Sequence, residues 1–461
     1  MRLTVIGSGP GGYVAALKAA QLGARVTVIE RDRIGGTCLN WGCIPTKTLV
    51  ASAELLHKSR HLSEYGLELT GTVKPNLSRI LDRKNKVVAT LAKGIRSLFK
   101  SWNVEFLEGT AALDGPRRVA VRQADGTDVV LDTDTTVIAT GSRPAEIPPF
   151  TFDGTRIISS THALDMTHLP ASIVIVGAGV IGCEFAFIFR ELGAEVTMIE
   201  VLPRAVSTED IEVSEVLERE LKKRKISLLT NVRAVSTETT DDGVTVILED
   251  GRRLSAEIVL LSVGRSFNTE GLGLEAAGIR TGTRGEITVN SRMETNMPGV
   301  YAVGDVTGTV LLAHVASSQG IVAACNACGI SRQMDYSVVP AAIFTSPEIG
   351  SVGLREHQAA EKGIRTRIGR FPFRGLGKAH AMGEIAGMTK IIADAETDRL
   401  LGMHIIGPHA SDLVHEGALA LRSGLTVRDL GDMIHAHPTL SECLMEAAED
   451  AHGEAIHALR K

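Results

Sequence analysis

Two segments about 170 residues apart in the chain follow one plan, and this repeat limits the fold more than any other feature. Gly7-Ser8-Gly9-Pro10-Gly11-Gly12 follows the apolar run Leu3 to Ile6 and leads to Leu22-Gly23-Ala24-Arg25-Val26-Thr27-Val28-Ile29-Glu30. Gly177-Ala178-Gly179-Val180-Ile181-Gly182 follows Ile173 to Val176 and leads to Leu192-Gly193-Ala194-Glu195-Val196-Thr197-Met198-Ile199-Glu200. In both, the closing Glu stands 23 positions after the first Gly. Strand, glycine turn, helix and a second strand ending in an acid make one unit that binds a dinucleotide. The first Gly permits a tight turn, the second lets backbone approach a pyrophosphate, and the third lets helix pack on strand. Helix N–H groups and the helix dipole then hold the phosphates.

Two such units imply two dinucleotides, and a hydride passing between them is a natural reason to hold both. The Glu ending each unit accepts from a ribose diol, and at Glu200 a carboxylate repels a 2′-phosphate, so NAD is favoured over NADP. Arg204, four residues on, is the one feature against this; it reads as a solvated surface residue. At about 150 residues per domain, 461 residues predict about three domains. A net charge of −5 and 4% aromatics give no footprint for nucleic acid or an anionic membrane. No apolar run is long enough to span a bilayer. The N-terminus enters its first strand almost at once, so no leader is expected and the chain reads as cytoplasmic. Six cysteines in 461 residues are too few for a secreted disulfide framework.

Just after the first unit comes Gly35-Gly36-Thr37-Cys38-Leu39-Asn40-Trp41-Gly42-Cys43-Ile44-Pro45-Thr46-Lys47. Two Cys separated by four residues can close a small ring, with Gly42 easing the turn and Pro45 suiting the first turn of a following helix. A thiol near a helix N-terminus has a depressed pKa, so a redox-active disulfide is the leading reading. Two buried thiols or half a metal site are the alternatives, although zinc would need two more ligands that the neighbourhood lacks. Cys183, the Cys325/Cys328 pair and Cys443 read as packing residues, and no metal site is expected.

Near the C-terminus stands His435-Ala436-His437-Pro438-Thr439-Leu440-Ser441-Glu442. Dithiol exchange needs a base poised near neutral pH, and a carboxylate can fix its tautomer. His437 and Glu442 fit those two parts.

GGTCLNWGCIPTK at 35–47, ATGSRP at 139–144, GVYAVGDVTG at 299–308 and HAHPTLSE at 435–442 together resemble the class I flavoprotein disulfide reductases, over essentially the whole chain. The resemblance implies FAD in the first unit and NAD in the second. FAD would be held by Gly7, Gly9, Pro10, Gly11, Gly12, Glu30, Gly36, Thr37, Cys38, Lys47, Thr140, Gly141, Ser142 and Asp305. The Leu311-Leu312-Ala313-His314 stretch would lie beside the flavin ring, and Ala111 would offer a backbone contact to adenine. NAD would be held by Gly177, Gly179, Val180, Ile181, Gly182, Glu184, Glu200 and Gly264. Lys47 with Glu184 resembles the family's ion pair near the flavin; otherwise Glu184 is an ordinary helix-surface residue. The resemblance also assigns thiol interchange to Cys38 and the flavin contact to Cys43, an order that spacing alone leaves open.

Within that family HAHPTLSE favours lipoamide over glutathione. The end Ala458-Leu459-Arg460-Lys461, without a Cys pair, speaks against the mercuric type. The implied activity reoxidises dihydrolipoamide through Cys38–Cys43 and FAD, with hydride passed to NAD+. Implied partners are a lipoyl-bearing domain as substrate and a second copy of the chain, His437 serving the other subunit's site. Docking on the acyltransferase core of a 2-oxo acid dehydrogenase complex is also implied. Alternatives are a reductase of another disulfide, such as that of glutathione or coenzyme A, or a low-turnover flavin-bound subunit or sensor.

The expected fold is α/β, with two Rossmann-like dinucleotide domains and a C-terminal α+β dimerisation domain. The FAD domain takes residues 1–145 and 269–338, the NAD domain is inserted at 146–268, and the interface domain runs over 339–461. Leu77 to Phe99 reads as a helix with a solvated basic face, and Asp241-Asp242-Gly243 as a hairpin turn.

Overall fold

The computed structural model describes residues 1–115 and 117–459; Arg460 and Lys461 of the C-terminal run lie outside them. The chain opens with β1 (Arg2–Ile6), α1 (Pro10–Gln21) and β2 (Arg25–Glu30), the first repeat unit. Helices α2 (Gly36–Trp41), α3 (Cys43–Ser59) and α4 (Leu77–Ser101) follow, then β3 (Glu105–Leu113), β4 (Arg118–Gln123), β5 (Asp128–Asp132) and β6 (Thr135–Ile138). After β7 (Ser142–Pro144) comes a second sheet region: β8 (Ile157–Ser159), α5 (Ser160–Ala163), β9 (Ser172–Val176), α6 (Val180–Leu192), β10 (Glu195–Ile199), α7 (Ile211–Lys223) and β11 (Ser227–Leu229). A small antiparallel sheet of β12 (Ala234–Thr240), β13 (Gly243–Leu248) and β14 (Arg253–Ala256) precedes β15 (Ile258–Leu261) and β16 (Arg265–Phe267). The hairpin expected at Asp241-Asp242-Gly243 joins β12 to β13.

β17 (Val300–Ala302) then returns to the first sheet, alongside β6, and α8 (Ala313–Ala327) packs on α1. The first sheet runs β17-β6-β1-β2-β3-β4-β5, and the second β11-β10-β9-β15-β8. In each, strand order reverses beside the first strand of a repeat unit, β1 or β9. A reversal of this kind opens a crevice at the carboxyl ends of the strands. Their central strands β6, β9 and β15 are buried along nearly their whole length, as parallel strands covered on both faces are, with Thr135 and Thr136 of β6 buried beside Val137 and Ile138.

The last region holds β18 (Ala341–Ile343), β19 (Glu348–Gly353), α9 (Glu356–Glu361), β20 (Thr366–Pro372), α10 (Gly377–Met382), β21 (Met388–Asp394) and β22 (Leu400–Gly407). These strands form one antiparallel sheet, β18-β19-β22-β21-β20. It is covered by α11 (Ala410–Ser423), α12 (Val427–Gly431) and α13 (Glu442–His452) around Phe371, Met403, Val414, Cys443 and Leu444.

The basic helix α4 departs from the expected solvated face at one point. Lys84 is only 3% exposed, and its ammonium donates to Leu164 O at 2.8 Å and pairs with Asp165. Among the described residues no helix is long and apolar enough to cross a membrane.

Candidate functional site

The two repeat units agree down to single atoms. Gly7 N donates to Ile29 O and Gly177 N to Ile199 O, each at 2.8 Å. Both first glycines have positive φ, +100° and +102°, in the left-handed region where a side chain is disfavoured. The third glycines are required for space. A Cβ on Gly12 would lie 2.0 Å from Gly7 O, and one on Gly182 would lie 2.0 Å from Gly177 O. That glycine therefore lets the first helical turn close onto its own loop, as well as onto the strand.

The terminal acids are placed alike. Glu30 accepts from Ser8 N at 2.9 Å and Asp32 N at 3.0 Å, while Glu200 accepts from Ala178 N at 2.7 Å and Leu202 N at 2.8 Å. Each carboxylate is thus locked at the mouth of its crevice as an acceptor. Arg204 does not reach out beside Glu200: its guanidinium donates to Ser207 O at 2.7 Å and Glu209 O at 3.2 Å. That removes the one sequence feature that weighed against NAD.

A cavity of about 990 Å³ runs from the carboxyl end of β1 to the start of α8, near the upper end of the usual range for a cofactor site. Gly7, Gly9, Pro10, Gly11, Glu30, Gly36 and Thr37 line one part of it, and Ala111, Thr140, Gly141, Ser142 and Asp305 another. Leu311, Leu312, Ala313 and His314 close its far end. Gly12 stands behind the wall. Of the second unit Val180, Ile181, Glu184 and Phe185 reach this cavity, whereas Gly177, Gly179, Gly182, Glu200 and Gly264 do not line it. The second crevice therefore opens beside the first and touches it at the start of α6.

Cys38 and Cys43 lie in the cavity wall with their sulfurs 2.6 Å apart. The connection is helical, Cys38 inside α2 and Cys43 the first residue of α3. Gly42 is needed for room, because a Cβ there would meet Thr37 O at 3.1 Å and Cys38 Cα at 3.4 Å. The two thiols differ electrostatically. The thiol of Cys38 donates to Cys43 sulfur and brings its pKa down to about 7, against the upward push of burial and with help from the Lys47 ammonium. Position at a helix N-terminus acts in the same direction. Cys38 is pushed up by that same bond and by burial. The Lys47 ammonium and the N-terminus of α3 thus favour a thiolate at Cys43.

Lys47 Nζ sits 2.9 Å from both carboxylate oxygens of Glu184. Glu184 is not a surface residue: its side chain is 4% exposed, and it also accepts from Phe344 N at 3.0 Å. Phe344 stacks under the ammonium, 4.5 Å from ring centre to Nζ. His437 and Glu442 are likewise brought together, with His437 Nδ1 2.9 Å from Glu442 Oε1 and Thr439 N donating to Oε2 at 2.8 Å. Burial raises the Glu442 pKa, but Thr439 N–H and His437 outweigh it and hold the carboxyl below its ordinary range. This pair does not line the cavity of its own chain. The imidazole is 76% exposed and points outward.

Several residues around the cavity carried no sequence assignment. Ser8 is fully buried, and its hydroxyl bonds Glu30 at 2.7 Å while accepting from Gly35 N at 3.1 Å. Arg265 donates to Ser142 Oγ at 2.7 Å and Ser142 O at 2.8 Å, beside Asp305 at 3.7 Å. Asn268 clasps Thr140, its side-chain amide donating to Thr140 O at 2.9 Å and its backbone carbonyl accepting from Thr140 Oγ1 at 2.7 Å. The position of Arg265 just after Gly264 was the one sequence signal available for it.

The sequence matches the pyridine nucleotide-disulphide oxidoreductase family over residues 1–320 and that family's dimerisation domain over residues 339–448. It is 42% identical to a dihydrolipoyl dehydrogenase of Bacillus subtilis, over 99% of this chain and 98% of that one. Identity to a dihydrolipoyl dehydrogenase of Thermus scotoductus is 43%, over 100% and 99%. Among solved structures, LpdA from Mycobacterium tuberculosis superposes with a TM-score of 0.91 at 32% identity, covering 98% of this chain and 99% of that one. The HOCl-induced flavoprotein disulfide reductase RclA from Escherichia coli gives 0.87 at 27%, covering 97% and 99%. Likeness of this extent, running through both nucleotide units and the C-terminal sheet alike, means that the chain belongs to the pyridine nucleotide-disulphide oxidoreductase family.

Proposed function

We propose that this chain is a dihydrolipoyl dehydrogenase, reoxidising the dihydrolipoamide of lipoyl-bearing domains with NAD+ as final acceptor. One observation carries the reading: the paired thiols face the cavity while the His437–Glu442 pair faces out of the same chain. A base that points outward serves a second copy, in keeping with the dimerisation domain at 339–448. The working unit is then a homodimer whose sites are each built from both chains. In this reading residues 1–145 and 269–338 form the FAD domain, 146–268 the NAD domain and 339–461 the interface domain.

The cofactors are FAD and NAD(H), and the residues present fit both. The first glycine loop offers unpaired helix N–H groups that would hold a pyrophosphate, Glu30 would accept from a ribose, and the N-terminus of α8 closes the far end. The second loop and Glu200 repeat that arrangement for NAD. Bound FAD supplies the two-electron exchange between thiol and nicotinamide.

This chain's own residues do the proton and sulfur chemistry. His437 Nε2 takes the proton of a dihydrolipoamide thiol, while Glu442 accepts from Nδ1–H and fixes the tautomer. The substrate thiolate attacks Cys38 Sγ; a mixed disulfide forms as the Cys38–Cys43 bond breaks, and Cys43 leaves as thiolate. Its low pKa makes it the better leaving group. The second substrate thiol then attacks the mixed disulfide, releasing oxidised lipoamide and the Cys38 thiol. Lys47 and Glu184 hold opposite charges against each other at the meeting point of the two crevices.

Rates of NADH-driven reduction of lipoamide, glutathione disulfide and coenzyme A disulfide test the reading. Lipoamide is expected to exceed the others by at least about 100-fold, a gap of roughly 3 kcal/mol; a faster rate with either of the others overturns it. Docking on the acyltransferase core of a 2-oxo acid dehydrogenase complex belongs to the same reading, and co-sedimentation with purified core tests it.

A further inference from the structure

His435, two residues before the outward-facing base, has acceptors on both ring nitrogens. Nε2 lies 2.9 Å from Glu416 Oε1 on α11, and Nδ1 lies 2.9 Å from Met433 O in its own loop. A carboxylate and a carbonyl only accept, and a neutral imidazole has one N–H to give. Satisfying both contacts requires the doubly protonated ring. The side chain is 2% exposed, so this charge is enclosed rather than solvated.

The charged groups that face it are Glu416 from α11 and Glu442 from α13. Glu416 raises the affinity of the ring for its second proton against the cost of burial, and the Met433 carbonyl adds to this. The charge of His435 in turn helps to keep the Glu442 carboxyl ionised. The loop that carries His437 is therefore anchored on the α11 side by an ion pair whose histidine is enclosed and whose carboxylate is partly exposed, and the charge of that histidine is felt at the Glu442 carboxylate.

We propose that His435 is a positioning residue for thiol oxidation: as an imidazolium clamped between Glu416 and Met433 O, it fixes the 433–441 loop and holds Glu442 in the ionised form that orients His437. This rests on the reading of the chain as a dihydrolipoyl dehydrogenase only where turnover is measured.

The charge state is tested independently of turnover. Histidine C2-hydrogen exchange, read by mass spectrometry on the FAD-loaded enzyme, reports each ring's titration. His435 is expected to stay protonated above pH 6.5 in the wild type and to titrate at lower pH in Glu416→Gln. A ring that is neutral at pH 7 in the wild type overturns the proposal whatever the substrate.

Function is tested with His435→Gln and His435→Lys, using dihydrolipoamide oxidation and NADH-driven ferricyanide reduction, which needs no dithiol base. His435→Gln is expected to lower kcat for dihydrolipoamide at least 10-fold and to displace its pH profile, with ferricyanide reduction within 2-fold of wild type. His435→Lys, which restores a cation next to Glu416, is expected to recover the profile. Equal losses in both reactions would mean a merely structural residue, and an unchanged pH profile would mean a spectator; either result overturns the proposal. A wild type that oxidises no dihydrolipoamide but keeps a protonated His435 refutes the functional reading instead.

Discussion

The ammonium of Lys47 is held 2.9 Å from both oxygens of Glu184, and this contact ties the helix that begins with Cys43 to the helix that begins at the second glycine loop. The side chains stand 137 residues apart in sequence. Lys47→Met would leave the 4%-exposed Glu184 with only the Phe344 N–H as partner. Losing one member of a buried pair costs about 3 kcal/mol or more. Urea unfolding of the FAD-loaded enzyme is expected to show a loss of that order for Lys47→Met and a smaller one for Glu184→Gln, whose amide stays neutral. Equal stability in all three proteins would show that the pair is solvated.

Cys43 as the thiolate has a direct pH signature. Its pKa near 7 means that, in enzyme reduced with dihydrolipoamide, the long-wavelength absorbance that depends on this thiolate fades as pH falls through 7. Cys43→Ser is expected to retain bound FAD, to lack that absorbance at every pH and to lose lipoamide turnover. Cys38→Ser should keep the absorbance, since Cys43 carries it. The reverse pattern would exchange the roles of the two sulfurs.

Removal of the base gives a separable kinetic effect. His437→Gln is expected to slow dihydrolipoamide oxidation by about 10²–10⁴-fold, the usual worth of a positioned acid–base group. Reduction of the same protein by NADH in a stopped-flow should remain within 2-fold of wild type, because no proton from a dithiol is involved. Mixed dimers carrying His437→Gln in one chain and Cys43→Ser in the other offer a further check. If each site uses the partner's base, one of the two sites in such a dimer is intact, and about half the activity is retained.

On the proposed function, coenzyme choice is expected to depend on Glu200. Hydrogen bonds to a charged group contribute about 1.5–3 kcal/mol. Glu200→Ala is therefore expected to weaken NAD+ binding by about 10- to 100-fold and to reduce the discrimination against NADP+. A KM ratio unchanged from wild type would mean that the ribose is held by other groups, such as the nearby backbone amides of Ala178 and Leu202.

The C-terminal sheet is anchored to α7 by a buried cluster. Lys390 on β21, 2% exposed, contacts Asp210 at 3.0 Å and both Glu212 and Glu356 at 2.6 Å. Burial pushes the Glu212 carboxyl up, but Arg370 and Lys390 outweigh it and bring its pKa to about 2. A carboxyl with a depressed folded pKa stabilises fully above its ordinary value of 4.5 and loses that contribution as pH falls from 4.5 through 2. Thermal melts should therefore steepen their decline in that window, and less so for Glu212→Gln. Lys390→Met leaves Asp210 buried without its cation and is expected to cost about 3–5 kcal/mol at neutral pH.

The sequence by itself determined everything that depends on local backbone geometry. Both glycine loops, the strands before and after them, the acids at their ends and the redox pair occupy short stretches whose residue types allow few conformations. A Gly at position 7 or 12 can be read in this way because the turn leaves no room for a side chain. Such constraints act between residues a few positions apart.

Only the tertiary structure decided what acts across long separations. It turned Glu184 inward to Lys47, folded Arg204 onto carbonyl oxygens, buried Lys84 and Lys390, and gave Cys43 rather than Cys38 the lower pKa. It also gave His435 a partner on α11 while leaving His437 facing outward. Charge and burial depend on neighbours brought in from other elements, and an imidazole or carboxylate in a sequence carries no record of which neighbours those will be.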